Sequence, residues 1–349
     1  MKKVVLYAVM ASMIFFNYSC KQEDVLDTSD DSIPEEFEYE KIEYEKFSCE
    51  VFPSNLTEPV TSVYFIDDKN GFATTYNGNI LKTIDGGIIW KTYSITDLPL
   101  NSISFIDDKI GFAVGGKASC GGTGCIVPGS IVFKTEDFGE NWTKLNIPYK
   151  WSELNSVSFI NENIGFAIGL GLHVKTIDGG KTWEQFEFEY IGLMKKISFI
   201  TSQTGICAGL FGNIFKTSNQ GKNWIKSVNE SNCHIYDFHF VTEDVGYAAG
   251  QREIVKTIDG GETWRILTNS PSEIYFIHFS DLKNGFAIGK GHYTGGCFGT
   301  WTNAIYWTDD GGLTWKIKDN IEFNSMSSFF DKNVGYSIVY NKTFKITIK

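Results

Sequence analysis

The sequence predicts an all-β fold, a seven-bladed β-propeller of four-stranded antiparallel blades. Three observations carry that prediction. First, a phenylalanine followed six residues later by a glycine recurs seven times: Phe65/Gly71, Phe105/Gly111, Phe159/Gly165, Phe199/Gly205, Phe240/Gly246, Phe279/Gly285 and Phe329/Gly335. Successive copies lie 40, 54, 40, 41, 39 and 50 residues apart, and a period near forty marks one supersecondary unit copied and stacked. Second, six copies carry a Gly-rich turn that leads into a tryptophan. Third, the 349 residues are 42% hydrophobic and 15% aromatic, with 35 glycines and 7 prolines. Such a composition suits many half-buried strands joined by tight turns.

Each copy has the same internal order. An alternating strand such as Val63-Tyr64-Phe65-Ile66 comes first, then a polar turn such as Asp67-Asp68-Lys69-Asn70. A second strand begins at the repeat glycine (GFATT, GFAVG, GFAIG, GYAAG, GYSIV), and a third usually ends in Lys-Thr. A second turn and a tryptophan lead into the fourth strand. Four short antiparallel strands joined by hairpin turns describe one blade. The expected blades span roughly 60–97, 100–148, 154–190, 194–230, 234–269, 273–320 and 324–349.

The second turn reads TIDGGIIW (83–90), TEDFGENW (135–142), TIDGGKTW (176–183), TSNQGKNW (217–224), TIDGGETW (257–264) and TDDGGLTW (308–315). This is the Asp-box pattern, also called the BNR repeat. The carboxylates of Asp85, Asp137, Asp178, Asp259 and Asp310 can accept backbone N–H groups of their own turns, and Asn219 can do so in the fourth copy. The second glycine, present in all six, can adopt positive φ at low cost. Trp90, Trp142, Trp183, Trp224, Trp264 and Trp315 are expected to wedge between sheets, with the indole N–H free for a carbonyl.

The seventh unit ends at Lys349, before any box or fourth strand. The alternating stretch from Tyr44 to Phe52 could supply the missing strand, so residues 43–53 are assigned to the last blade. Pairing with 343–348 would close the ring and remove the exposed edges of an incomplete blade. A six-bladed ring with an extra hairpin is the alternative.

Before the propeller lie an expected lipoprotein-type signal peptide (1–19) and an acidic tether (20–42). Lys2 and Lys3 precede a short apolar core, too short for a comfortable membrane span. Asn17-Tyr18-Ser19-Cys20 resembles a bacterial lipoprotein cleavage site, with Cys20 as the lipidated residue and ordinary signal cleavage as the alternative. Residues 21–41 carry nine carboxylates against two lysines, which favours an extended solvated segment. It resembles the export tethers of some surface lipoproteins, and a plain linker explains it equally well. The expected location is the bacterial outer membrane, periplasmic or at the cell surface, with membrane contact through the lipid alone. The net charge of −11 argues against nucleic acid, whose phosphates need a cationic surface.

From 43 to 349, the F-x5-G element, the Lys-Thr-x-Asp-Gly-Gly turn and the following tryptophan resemble the photosystem II assembly-factor family of seven-bladed Asp-box propellers. The resemblance implies a non-enzymatic binding scaffold or assembly chaperone. It also departs from the family: those factors meet their client through an arginine-rich patch, and this chain has only Arg252 and Arg265. Sialidases, xyloglucan hydrolases and sortilin-type receptors share the box, so the motif alone selects no function.

Function is sought where the copies differ. Two copies are longer, through inserts between second and third strands at 115–130 and 289–303. Both are expected on the face opposite the box turns, where long loops on a rigid frame serve recognition. His292, Tyr293, Phe298 and Trp301 in the second insert and Trp151 entering the third blade are candidate ligand-rim residues, with Trp307 on the strand beyond. The alternative is that they fold back and cover the propeller top. Cys120 and Cys125 share one glycine-rich loop and are the first candidate for a disulfide. Cys207 and Cys233, from adjacent blades, are a possible second pair, and Cys49 and Cys297 are possible buried thiols. A zinc site at 120/125 lacks further ligands at finger-like spacing. The five histidines are scattered.

No cofactor, metal site or catalytic residue is assigned. Two arginines cannot form the three-arginine carboxylate clamp of sialidases. Another glycosidase would need only two suitably spaced carboxylates, but most acidic residues here fall in the tether, hairpins or boxes. No nucleophile elbow, phosphate loop, dinucleotide fingerprint or HExxH motif occurs. Three readings remain: a lipid-anchored, monomeric protein-binding scaffold, a glycan-binding or glycan-cleaving protein, and a passive surface module.

Overall fold

The computed structural model describes residues 40–43, 46–117, 129–149, 152–186, 192–271, 273–293, 301–319, 327–339 and 341–349. Blade 1 runs outward as Val60–Phe65, Gly71–Thr75, Asn79–Thr83 and Lys91–Ser94. Blades 2 to 6 repeat that order, beginning at Leu100–Phe105, Leu154–Phe159, Met194–Phe199, Ile235–Phe240 and Ile274–Phe279. The seven first strands line a central channel of about 810 Å³. Blade 5 gains a fifth strand, Val228–Asn229, parallel to its outer strand Thr263–Ile266.

Blade 7 is built from both ends of the chain. Ser327–Phe329, Val334–Val339 and Lys342–Ile348 are followed outward by Phe47–Pro53, in register from Phe47↔Ile348 to Pro53↔Lys342. Glu40–Glu43 adds an outermost strand. Residues 40–42, expected within the tether, thus belong to the sheet. Ile42 packs on the cluster around Phe47 and Phe344, and Glu43 pairs with Lys41 and Lys349.

The Phe/Gly motif is a cross-strand pair: Phe65 opposes Gly71, and the ring folds over the glycine. A Cβ on Gly71 would lie 2.6 Å from that ring, and in the other six pairs the distance is 2.3 to 2.8 Å. Each ring then bridges two sheets. Phe105 stacks on Phe72 of the preceding blade at 4.2 Å, Phe159 on Phe112 at 3.7 Å, and Phe279 on Tyr247 at 3.6 Å. The box tryptophan of the same blade meets it edge-on, as Trp90 meets Phe65 at 6.0 Å. Such offset and edge contacts suit the aromatic quadrupole.

Within the boxes, Asp85 accepts the N–H groups of Ile88 and Ile89 at 3.0 Å, while Thr83 Oγ1 donates to Asp85 and accepts from Gly87 N. Asn219 accepts from Asn223 N at 3.0 Å, so the amide preserves the turn. The indoles of Trp90, Trp142, Trp264 and Trp315 donate to the carbonyl of the second box glycine. The first glycine position is also left-handed, and Phe138 adopts φ 59° there. Its ring covers Phe72 and lies under the Lys82 ammonium at 4.0 Å, contacts that offset the strain.

In blades 1 and 4 the lysine before the box threonine pairs with a glutamate in the box of the next blade. Lys82 Nζ bonds Glu140 of the second box at 2.5 Å, and Lys216 Nζ bonds Glu262 of the fifth at 3.4 Å. Blade 6 has Trp307 at this position. The next blade has no box to receive a cation, and the indole packs edge-on against Phe47 at 5.6 Å instead. Trp307 therefore belongs to the blade 6–blade 7 seam.

Candidate functional site

The box turns and the first-to-second turns share one end of the disc, as the bond from Gly86 N to Lys69 O shows. The second-to-third turns, and with them the insert-bearing hairpin of blade 6, occupy the other end. Each first strand begins at that end, so the residue four before the repeat phenylalanine stands at the channel mouth. In blades 1 to 3 it is Thr61, Asn101 and Asn155. All three donate to a backbone carbonyl of the following blade: Thr61 to Leu100, Asn101 to Leu154 at 2.9 Å, and Asn155 to Met194 at 3.2 Å. In blades 4 to 6 the position holds Lys195, Tyr236 and Tyr275, which line the channel without making this bond. At three of the six described positions, long side chains stand in place of the short inter-blade staples.

A contiguous strip extends from this part of the mouth across the face. In the second-to-third turn of blade 4, Phe211 is 61% exposed with φ 58° and ψ 36°. An exposed phenylalanine in the left-handed region costs of order 1 kcal/mol that glycine would avoid. Its N–H donates to His234 Nδ1 at 3.1 Å, and its ring meets that imidazole edge-on at 4.9 Å. Tyr236 and Tyr275 stack at 5.9 Å. Gln251 N donates to His234 O, Glu273 N to Gln251 O, and Lys290 N to Glu273 O, lacing blades 5 and 6 together.

On blade 6 the inserted segment prolongs the hairpin: the second strand runs to Tyr293 and the third starts at Trp301. Tyr293 and Trp301 are 48% and 55% exposed, with ring centroids 5.4 Å apart. Lys290 lies 5.8 Å over the Trp301 ring and pairs with Glu273 at 3.3 Å. Asp319 clamps the hairpin from the outer strand, accepting from His292 and from Thr302 Oγ1. His292 therefore acts through a structural contact, while the rings of Tyr293 and Trp301 pack on each other. Trp151, Phe298, Cys120, Cys125, Cys297 and Cys20 lie outside the described residues.

Cys207 and Cys233 are separate thiols. Cys207 faces the core of blade 4 beside Ile197 and Phe215, whereas Cys233 sits in the turn entering blade 5. Adjacent blades do not bring those side chains together.

Deeper in the channel, Lys196 pairs with Asp237, whose other oxygen accepts Ile277 N at 2.9 Å. His239 Nδ1 accepts Phe279 N at 3.2 Å, and His278 bonds Lys332 O at 2.9 Å. The two imidazoles lie 4.4 Å apart. Burial drives the His239 pKa well below its ordinary value and lowers that of His278 to about 4. Both rings are neutral at neutral pH and act as inter-blade staples.

Comparison with known proteins agrees with this architecture. A family model, the photosynthesis system II assembly factor YCF48, matches residues 95–237. A photosystem II assembly lipoprotein Ycf48 from Synechococcus sp. (strain CC9902) is 28% identical over 164 residues, 46% of each chain. The aligned stretch thus spans about half the length of that relative. The structure of YCF48 bound to a D1 peptide superposes with a TM-score of 0.65 at 18% identity, covering 89% of this chain and all of that one. The GH74 enzyme of Niastella koreensis superposes at 0.64 with 13% identity, over 84% of this chain and 52% of its own. The chain is a seven-bladed β-propeller that is similar to the photosystem II assembly factors.

Proposed function

We propose that this chain is a non-enzymatic scaffold that holds a partner protein on the insert-bearing face, tethered to the cell envelope through lipidated Cys20. The observation that carries the reading is the strip from Phe211 across Tyr236 and Tyr275 to Trp301. It concentrates exposed and half-buried aromatic surface at the part of the mouth where the residue four before the repeat phenylalanine makes no bond to the next blade. Exposed contiguous apolar surface on a rigid frame marks an interaction site. The D1-peptide complex of YCF48 supports a protein ligand, and the Synechococcus relative supports a lipoprotein.

A glycan reading draws on the exposed Tyr293–Trp301 pair and the GH74 likeness. Ring geometry weighs against it. Sugars stack on open aromatic faces, yet Tyr236 and Tyr275 cover one another and Lys290 lies over Trp301.

The test is crosslinking in native cells with identification of captured proteins, comparing the full chain with forms lacking 115–130 or 289–303. Loss of a specific captured protein on deletion supports the scaffold reading. A captured set indifferent to both deletions, or polysaccharide binding that Trp301→Ala abolishes, refutes it. Labelled fatty acid that enters the full chain but not Cys20→Ala tests the anchor.

A further inference from the structure

The charges along the strip specify what kind of segment it takes. The chain is acidic overall, with net charge −11, and several blade lysines are ion-paired, Lys82 and Lys216 across a seam and Lys175 within its own blade. Two cations at this face are not. Lys195 stands at the channel mouth in the blade before Tyr236, and Arg252 lies in the turn whose Gln251 bonds the His234 carbonyl. Among the described residues neither has a carboxylate within ion-pair distance. Resting on the scaffold reading above, we infer that the strip binds an extended acidic–aromatic segment of the partner. Its carboxylates meet Lys195 and Arg252, and its apolar side chains lie across Tyr236, Tyr275 and Phe211.

The physical reasoning is complementarity. Lys195 is half-buried at the channel mouth, and a carboxylate brought to its ammonium gains charge-assisted hydrogen bonds. An exposed guanidinium contributes mainly by steering and is screened by salt. The tyrosines supply rigid contact area at small entropic cost. A neutral or basic segment of equal apolarity would gain the ring contacts alone.

The test is fluorescence anisotropy of the mature full-length chain with labelled peptides of repeated Gly-Phe-Glu, Gly-Phe-Gln or Gly-Phe-Lys units. The Glu peptide is expected to bind at least tenfold tighter than the Gln peptide at low salt, with the advantage shrinking as salt rises. Lys195→Gln with Arg252→Gln should abolish that advantage without changing the melting temperature. Tyr236→Ala with Tyr275→Ala should weaken Glu and Gln peptides alike. Equal binding of all three peptides, binding of none, or an acid preference that survives the double charge variant overturns the inference. If cellular crosslinking still depends on this face in any of those cases, the scaffold reading stands and only the acidic specificity falls.

Discussion

Phe65 and Tyr336 stack at 3.9 Å with their planes 13° apart. They join the first blade to the last, in the arrangement that Phe105 and Phe72 use between blades 1 and 2. Tyr336 also donates to Asp68 O at 2.6 Å, and Thr343 Oγ1 donates to Gly87 O. The seam is thus built from the same parts as an internal blade junction. Phe65→Ala and Tyr336→Ala should each cost about 3–5 kcal/mol in urea unfolding, as deletion of a buried ring does. A double-mutant cycle should return a coupling of about 1 kcal/mol. Independent effects would mean the contact does not bind the ends together.

The position of Trp307 leads to a second prediction. A lysine there would match the other blades by sequence, yet no box lies beyond it to take the charge. Trp307→Lys removes the Phe47 contact and places an ammonium against the cluster of Phe47, Phe286 and Phe344. A loss of about 3 kcal/mol or more is expected in thermal or chemical unfolding. Trp307→Phe should keep most of the stability. A well-tolerated lysine would show that the seam does not need the indole.

Acid should unfold the protein in two phases. Hydroxyl hydrogen bonds from Thr182 and Thr314, followed by backbone N–H bonds, hold Asp178 and Asp310 at about 2. These folded values lie below the unfolded value of about 3.9. Their stabilisation is complete above about pH 4 and is lost as pH falls towards 2. Burial holds His173 and His278 at about 4. Below the unfolded value of about 6.5 the unfolded chain takes those protons first, so stability falls between pH 6.5 and 4. His278→Gln should shrink that upper phase by roughly 3 kcal/mol at pH 4 relative to wild type. Asp178→Asn should leave it intact and blunt the lower phase, as Asn219 shows that an amide fits the turn. Urea midpoints measured from pH 7 to 3 decide both.

The scaffold was legible because its motifs are local. Phe65 over Gly71 is a cross-strand pair set by one tight turn, and Asp85 closes a ring within five residues. Any chain carrying those patterns in register must repeat one sheet. The functional face was only half legible. Tyr293 and Trp301 announced themselves through an insertion. Lys195, Tyr236 and Tyr275 are substitutions inside a strand of ordinary length, and their signal was the run Thr61, Asn101, Asn155, Lys195, Tyr236, Tyr275 read down the repeat. Phe211 required backbone angles to be seen as unusual. The Cys207–Cys233 pairing failed because strand register decides which face a cysteine takes, and Cys207 turns into the blade core.

Phe211 offers a test in which stability and binding move in opposite directions. Its ring is mostly exposed and touches little besides His234, while its backbone sits where glycine is favoured. A residue retained for folding would not combine those properties. Phe211→Gly relieves the left-handed strain but adds a flexible residue next to Gly212, so little net change in stability is expected. Phe211→Asn tolerates the same angles with less entropy lost on folding and should raise stability by up to about 1 kcal/mol. Both should weaken peptide or partner binding severalfold, because the ring that extends the tyrosine pair is gone. Melting curves and anisotropy on the same samples distinguish the outcomes. If Phe211→Asn loses stability and keeps binding, the ring serves the fold and the strip ends at His234.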